Sequence, residues 1–488
     1  MLTIITIVIL FLLIIKQSIQ RPLAFPPGPP VMPVFGNMLT VWFNKRKLKF
    51  RHSVWQMMSQ KYGDIVGLKL GSIKVVIVSG KDYIREVSSR EVFEGRPDGF
   101  FYLIRSFGKK LGIVFNDGPN WNKTRRTVLK FLKHYGYGSK AMDSQISEEC
   151  QALVKLLDDY SGNAVRVNEL FSICTVNIVW QLVAGKRYDL TDERLKTLCN
   201  CIAQSFTSND MSGGLLNFLP FLRHVIPGLI GYTKLVNDNK SIHTFIKETI
   251  NDHRKNLDVD NPKDVIDAFL VEMNKQGDNS LTDEELQVVC IDLLEAGVET
   301  VKNTLVFLLL YIVRDPEVQA RLHMEIDNVI GRSRSPTLND RSKLIYTEAV
   351  ILEGLRISSI AAVNVPHMAL DDARLGEYLI PKGTFLLLAL YDLHNGKHWK
   401  KPRVFRPDRF ITKNGNLIQD EWLMPFGTGR RRCIGEGLAR SELFLFLTYI
   451  LQKFQLKIPD GEPLPSTEPN DGITLSAKEF NIMFVPRF

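Results

Sequence analysis

The stretch Pro425-Phe-Gly-Thr-Gly-Arg-Arg-Arg-Cys-Ile-Gly-Glu-Gly437 decides how the rest of this 488-residue chain is read. One cysteine, Cys433, sits in a loop dense in glycine and arginine, and an apolar, helix-favouring run follows from Leu438 to Leu451. Gly427, Gly429 and Gly435 let the backbone turn tightly and approach a flat object closely. The N–H dipoles of the coming helix and the charges of Arg430, Arg431 and Arg432 are expected to lower the thiol pKa and favour thiolate. A lone thiolate cannot build the four-coordinate site of structural zinc, and no second cysteine lies nearby in the sequence. Haem iron needs only one protein thiolate, whose electron donation promotes O–O cleavage. The bland alternative is a buried apolar cysteine, the commonest fate of a free thiol.

Phe426-x-x-Gly429-x-Arg431-x-Cys433-x-Gly435 resembles the haem-binding signature of the cytochromes P-450. Five fixed positions give roughly 10⁻⁴ chance matches in a chain of this length, so coincidence is a poor explanation. The resemblance implies a mainly α fold with a small β region, one large catalytic domain over 37–488, and haem b (iron protoporphyrin IX) bound through Cys433, with Phe426 and Arg431 beside it.

Composition agrees with one large enzyme. The apolar fraction of 45% supports a sizeable core, and no repeat or low-complexity linker divides the chain. The net charge of +9 comes from 62 basic and 53 acidic side chains spread along the sequence. Nucleic-acid binding needs a clustered basic face, so a membrane surface or an acidic protein partner fits better. Cys150, Cys174, Cys199, Cys201, Cys290 and Cys433 are expected to be reduced, as in a protein facing the cytosol.

The N-terminus reads as an anchor. Leu2 to Ile15 is apolar apart from Thr3 and Thr6, and Lys16 and Arg21 follow. Positive charge on the C-terminal flank keeps the bulk of a protein cytoplasmic, so 1–20 is expected to be an uncleaved signal-anchor of the endoplasmic reticulum. Phe25-Pro-Pro-Gly-Pro-Pro-Val-Met-Pro33 cannot be helix or inner strand and resembles the proline-rich hinge of microsomal P-450s, here 21–36. The sequons at Asn122 and Asn239 are expected to stay unused, because only a lumenal domain would use them.

Ile65 to Leu70 and Ile73 to Val78 read as a β-hairpin, and Glu377 to Leu388 as a second one turning at Pro381-Lys-Gly383. Helical periodicity covers 140–160, 166–185, 240–256, 263–275, 282–314 and 340–357.

In the helix over 282–314, Ala296-Gly-Val-Glu-Thr300 places two small residues before an acid and a hydroxyl. Ala296 and Gly297 would let a planar cofactor and dioxygen approach the backbone, and Thr300 can hydrogen-bond a carbonyl one turn back. Oxygen activation consumes two protons, for which Thr300 and Glu299 are the expected suppliers. The sequence matches the family's pattern on this helix, with Val301 where a second threonine is common. Trp121 and Arg125 lie four apart on one helical face and match the family's Trp-x-x-x-Arg. Together with Arg96 and His367, they are implied to hold the haem propionates.

Glu353 and Arg356 are an i, i+3 pair that carries no meaning alone. The resemblance implies that they join Arg409 of Arg406-Pro-Asp-Arg-Phe410 in a structural triad behind the haem. Ile345 stands where the family usually has proline, which puts a local turn in doubt.

The implied activity is a monooxygenase that inserts one atom of O2 into a lipophilic substrate. Electrons would come from NADPH through NADPH-cytochrome P-450 reductase, with cytochrome b5 as a further partner. No nucleotide-binding glycine loop is present, so the reductase should be a separate chain. Phe100, Phe101, Ile104, Phe107, Leu293, Ala362 and Val363 are the expected pocket lining, all apolar. Gly95 to Phe101 and Phe107 to Pro119 resemble an arthropod subgroup that includes the methyl farnesoate epoxidases of juvenile hormone synthesis. Oxidation of xenobiotics, other hormones or fatty acids by the same chemistry stays open, as do a haem-thiolate isomerase or dehydratase and a haem-dependent sensor.

Overall fold

The computed structural model describes Thr6 and residues 19–160, 162–275 and 281–488. Most of the expected anchor lies outside the described residues. Helix dominates, with a small β region.

Six helices position the site: α1 (Gly118–His134), α2 (Lys140–Asp159), α3 (Ser172–Ala184), α4 (Asp283–Arg314), α5 (Ile345–Ser358) and α6 (Glu436–Lys453). Helix α4 starts cleanly because the Thr282 side chain accepts from Glu285 N–H at 3.1 Å. Asp283, Glu284 and Glu285 then place negative charge at the positive end of the helix dipole. It stops before Pro316, which opens the next helix. By length and composition α4 could cross a membrane, but 78% of its most apolar window is buried inside the protein. It is a core helix, packed on α3, α5 and α6.

The main sheet contains β1 (Ile65–Leu70), β2 (Ile73–Val78), β3 (His367–Met368) and β6 (Phe385–Leu388), in the order β1-β2-β6-β3. β1 and β2 form the expected hairpin, with Ile65 opposite Val78 and Leu70 opposite Ile73. The second expected hairpin does not form. β5 (Tyr378–Ile380) pairs with β4 (Ala373–Leu375), whereas β6 crosses to lie parallel to β2. The four residues of β6 are buried throughout, which suits an inner strand better than a two-stranded ribbon.

The proline-rich segment lies along β1. Gly67 N–H donates to Pro27 O at 2.8 Å, and Asn37 Nδ2 donates to Pro30 O at 2.8 Å. A Cβ at Gly28 would fall 2.1 Å from Gly67 O, so only glycine permits this approach. All six cysteines are free thiols; Cys150, Cys174, Cys199 and Cys290 are buried.

Candidate functional site

The cysteine loop closes over β-bonded and helical neighbours. Gly427 and Gly429 take φ of +70° and +69°, and a Cβ on Gly429 would sit 2.1 Å from Ser88 O. Gly435, by contrast, has an ordinary φ of −90° at the start of α6. Cys433 N–H donates to Phe426 O at 3.0 Å, and Tyr137 donates to Ile434 O at 2.6 Å, which pins the loop. The Cys433 sulfur opens into an interior cavity of ≈ 310 Å³. Its thiol pKa is raised, against expectation. Removal from water outweighs the Gly435 N–H and the charges of Arg125 and Arg432, and Glu436 adds repulsion. Two of the three arginines are also spent on carboxylates, Arg430 on Glu94 and Arg432 on Glu436.

The same cavity is lined by Leu293, Ala296, Gly297 and Thr300 of α4. Thr300 Oγ1 donates to Ala296 O at 2.7 Å, and Thr304 Oγ1 to Thr300 O at 2.9 Å. Gly297 serves helix packing as well as approach, since a Cβ there would meet Val179 of α3 at 2.6 Å. Glu299 does not line the cavity. Its carboxylate is buried against Lys302 at 2.6 Å and accepts from Asn303 Nδ2 at 3.1 Å. Position 299 is one residue, about 100° of helix, from Thr300, so the acid points into the protein behind the hydroxyl.

Along one edge, buried cations converge. Arg431 uses Nε and one terminal nitrogen on Glu94 O (3.0 and 2.7 Å), reaches Asn116 O at 2.8 Å, and lies 3.4 Å over the Trp121 ring. Arg96 donates to Val114 O at 3.0 Å and to Val365 O and Pro366 O at 2.9 Å. His367 is hydrogen-bonded through Nδ1 to Phe93 O at 2.7 Å. Arg431 is pulled down to about 9, burial first among the causes, and Arg96 and His367 also fall, in part through mutual repulsion. One guanidinium nitrogen of Arg431 and Nε2 of His367 are buried with no partner. The orphaned guanidinium donor beside massed positive charge is what an absent anion leaves behind, whereas His367, neutral and with its Nδ1–H given to Phe93 O, presents an acceptor at Nε2.

Trp121 departs from expectation here. Its indole N–H is already taken by Ile113 O at 3.0 Å, so it stacks under Arg431 instead of donating to the edge. Arg125 lines the cavity and ties α1 to the cysteine loop by donating to Arg432 O at 2.9 Å.

A thiol, a helix stretch of small residues and anion-seeking arginines around one cavity fit a flat iron macrocycle with two carboxylates. Residues 26–484 match the sequence profile of the family described as Cytochrome P450. This chain belongs to the cytochrome P450 family. It is 60% identical to a farnesoate epoxidase of Bombyx mori over 479 residues, which cover 98% of this chain and 97% of that one. It is 37% identical to a probable cytochrome P450 305a1 of Drosophila melanogaster, over 96% of both chains. Human cytochrome P450 2C8 is 35% identical, again over 96% of both. The protein is thus a P450 monooxygenase, an oxidoreductase that uses haem, O2, a redox partner and a lipophilic substrate.

Behind this P450 site lies a charged triad. Glu353 accepts from Arg356 Nε and a terminal nitrogen at 2.7 and 2.8 Å, and Arg409 Nε lies 2.9 Å from Glu353 Oε2. The Arg406 N–H adds a fourth contact at 2.8 Å. Glu353 and Arg356 are fully buried. At Ile345, Glu325 does the capping that proline would have eased: it accepts from Tyr346 N–H at 2.7 Å and Thr347 N–H at 2.8 Å.

The expected lipophilic lining is only partly right. Leu293 lines the main cavity. Phe100 meets Tyr232 at a tilt of 46°, Phe101 and Ile104 join the core beside β1, and the half-exposed Phe107 meets His243. None of these four borders the main cavity, because the segment after Arg96 turns its aromatics toward neighbouring helices. Ala362 and Val363 line a separate cavity of ≈ 30 Å³, and only Ile360 borders both.

Two acids in the main cavity have no local sequence signal. Asp292 accepts from Ile113 N–H and Val114 N–H (2.5 and 3.0 Å) and pairs with Arg105 at 2.5 Å. Arg105 also reaches Glu295 at 2.8 Å, clasping its loop to α4. Glu442 of α6 is buried with both oxygens unpartnered, and burial pushes its carboxyl pKa far up, so it stands as a neutral acid.

Proposed function

We propose that this P450 epoxidises the terminal double bond of a farnesoid chain, with methyl farnesoate as substrate and the 10,11-epoxide as product. The identity of 60% with a farnesoate epoxidase along nearly the whole chain carries this reading. The mainly apolar cavity walls suit such a substrate.

Bound haem b, with electrons from NADPH through the reductase, would supply oxygen activation and transfer. Cys433 would provide the thiolate ligand, and coordination to iron would offset the burial that otherwise keeps the thiol protonated. Arg96 and Arg431 would receive the propionates, His367 would donate to one only on taking up a proton at Nε2, and Arg125 and Trp121 would brace the rim. Phe426, within the cysteine loop, accepts from Cys433 N–H and helps fix its shape. Thr300 holds a proton at Oγ1 on the oxygen side, and a hydroxyl rotation turns it from Ala296 O into the cavity. Glu299 resupplies that proton only when it parts from Lys302.

Residues 1–20 anchor the protein in the endoplasmic reticulum, 21–36 form the hinge, and 37–488 face the cytoplasm. Exposed apolar side chains at Val34, Phe35, Trp42 and Phe43, and at Phe221, Val225 and Leu229, support contact with a bilayer. The two groups converge at Gly71, whose Cβ position is 3.1 Å from Phe218 O and 3.9 Å from Met38 Sδ. The exposed face of α1 carries Lys123, Arg126, Lys130 and Lys133 on the side that Arg125 ties to the cysteine loop. That stripe suits an acidic reductase or cytochrome b5.

The test is incubation of the reconstituted protein with reductase, NADPH and methyl farnesoate, with farnesoic acid in parallel. The 10,11-epoxide is expected; a haem-loaded, reductase-coupled protein that forms none from either substrate overturns the reading.

A further inference from the structure

A cleft of ≈ 380 Å³ lies between the start of the proline-rich segment and the β1–β2 hairpin. Arg21, Lys69 and Lys74 give it positive charge, and Leu23, Phe25 and Val31 give it apolar surface. Among the described residues, none that lines it is acidic. Lys69 and Lys74 stand directly opposite each other in the β1–β2 ladder. Like charges so placed repel and weaken a sheet. The Lys69 ammonium registers this, since its pKa is lowered first by burial and then by Lys74. Arg21 adds a third cation, fixed by the carbonyls of Pro26 and Pro29, which orient the guanidinium without neutralising it.

The cleft is shaped by backbone contacts on several sides. Gly67 N–H reaches Pro27 O at 2.8 Å, and Leu379 N–H reaches Ala24 O at 2.9 Å. Asn37 joins the two walls by donating to Pro30 O at 2.8 Å and accepting from Lys69 N–H at 2.9 Å. Three cations set on so braced a frame make a seat for an anion that offers several oxygens, as a phosphate does.

The surroundings select among phosphates. Leu23 lines the cleft and is 91% exposed, and the hairpin turn beside it, at Gly71, meets Met38 and Phe218 where the two exposed apolar groups converge. A free phosphate gains nothing from Leu23, Phe25 and Val31, whereas the glycerol and first acyl carbons of a lipid cover them. A choline headgroup would bring its own cation against the three already there, so an anionic lipid fits best. We propose that Arg21, Lys69 and Lys74 form a binding site for the headgroup phosphate of an anionic phospholipid in the cytoplasmic leaflet. The site goes beyond the proposed reaction, and it rests on the anchored reading of residues 1–20 for bringing the cleft to the bilayer.

The test is native mass spectrometry of the haem-loaded full-length protein, released from neutral detergent micelles that hold equal amounts of phosphatidylinositol and phosphatidylcholine. Wild type is expected to retain one phosphatidylinositol with a preference of about 10-fold over phosphatidylcholine. Lys74→Glu, which sets an opposite charge across the ladder from Lys69, should erase that preference and keep or raise the urea midpoint. A purely structural lysine would lose stability instead. Lys74→Gln should lose part of the preference, and Lys413→Gln, the same charge change outside the cleft, should lose none. Inorganic phosphate in large excess should not displace the lipid. Equal retention of both lipids by wild type, a preference that survives Lys74→Glu and Lys74→Gln, or one lost equally in Lys413→Gln overturns the site. Displacement by inorganic phosphate overturns it too, leaving a small-anion site only. Partition into phosphatidylcholine vesicles is measured alongside: its failure overturns the anchor, whereas partition without lipid preference overturns the site alone.

Discussion

At the scale of single residues, this protein is governed by how few buried polar atoms are left over. Most are matched, so the exceptions beside the cysteine loop, Arg431 Nη1 and His367 Nε2, stand out. Replacing Cys433 with serine should abolish the thiolate-type spectrum of the carbon-monoxide complex and all turnover; retention of both would remove the assigned ligand. Lys302 makes a second prediction. Its ammonium and the Glu299 carboxylate are 7% and 2% exposed, so Lys302→Met strands a buried charge at a cost of about 3–5 kcal/mol. Glu299→Leu in the Lys302→Met background should recover most of that loss in urea unfolding. A single Lys302→Met variant as stable as wild type would show that the pair is not closed in solution.

Between elements, two contacts set the geometry of the site. Helices α3 and α4 meet where Gly297 faces Val179, closer than any side chain allows. Gly297→Ala should cost about 1–3 kcal/mol through overpacking. Val179→Ala in the same chain should relieve much of it, a coupling that a double-mutant cycle reads directly. Additive effects would place the strain elsewhere. The triad joins α5 to the segment before the cysteine loop. Glu353→Gln leaves Arg356 and Arg409 facing each other without their shared anion, and should lower stability by about 3–5 kcal/mol and haem retention with it. Unchanged urea midpoint and haem content would deny the triad that part.

For the molecule as a whole, buried neutral histidines make the fold acid-sensitive. His394 accepts from Met424 N–H at Nε2 (3.0 Å) and meets Ser359 Oγ through Nδ1 (3.1 Å), so both ring nitrogens are committed in the neutral form. Burial first, then Arg356, depresses it from its ordinary 6.5 to about 3. Above 6.5 neither state binds this proton, and the neutral ring contributes its full stability. As pH falls from 6.5 toward about 3, the unfolded chain takes up the proton and the native one refuses it, so stability declines. Near pH 5 the loss from His394 alone is about 2 kcal/mol. His394→Gln should flatten the pH dependence of the urea midpoint between about pH 7 and 5; an unaltered slope would exclude this ring as a source.

Local pattern alone was enough for some of this protein. The β1–β2 hairpin followed from two β-branched runs across Gly71, and α4 from its long helical periodicity. The cysteine loop was legible because its residues sit within one short stretch. What tertiary structure decided lies between distant segments: Arg431 on Glu94, His367 on Phe93, Arg105 on Asp292, Arg51 beside Asp471. It also sent β6 to β2 instead of β5, turned the Phe100–Phe107 aromatics away from the cavity, and raised the Cys433 thiol that nearby arginines alone would have lowered. Periodicity and caps are properties of neighbouring residues and can be read along the chain. Desolvation and the pairing of buried charges depend on which remote atoms share a dry interior, and only the folded packing settles that.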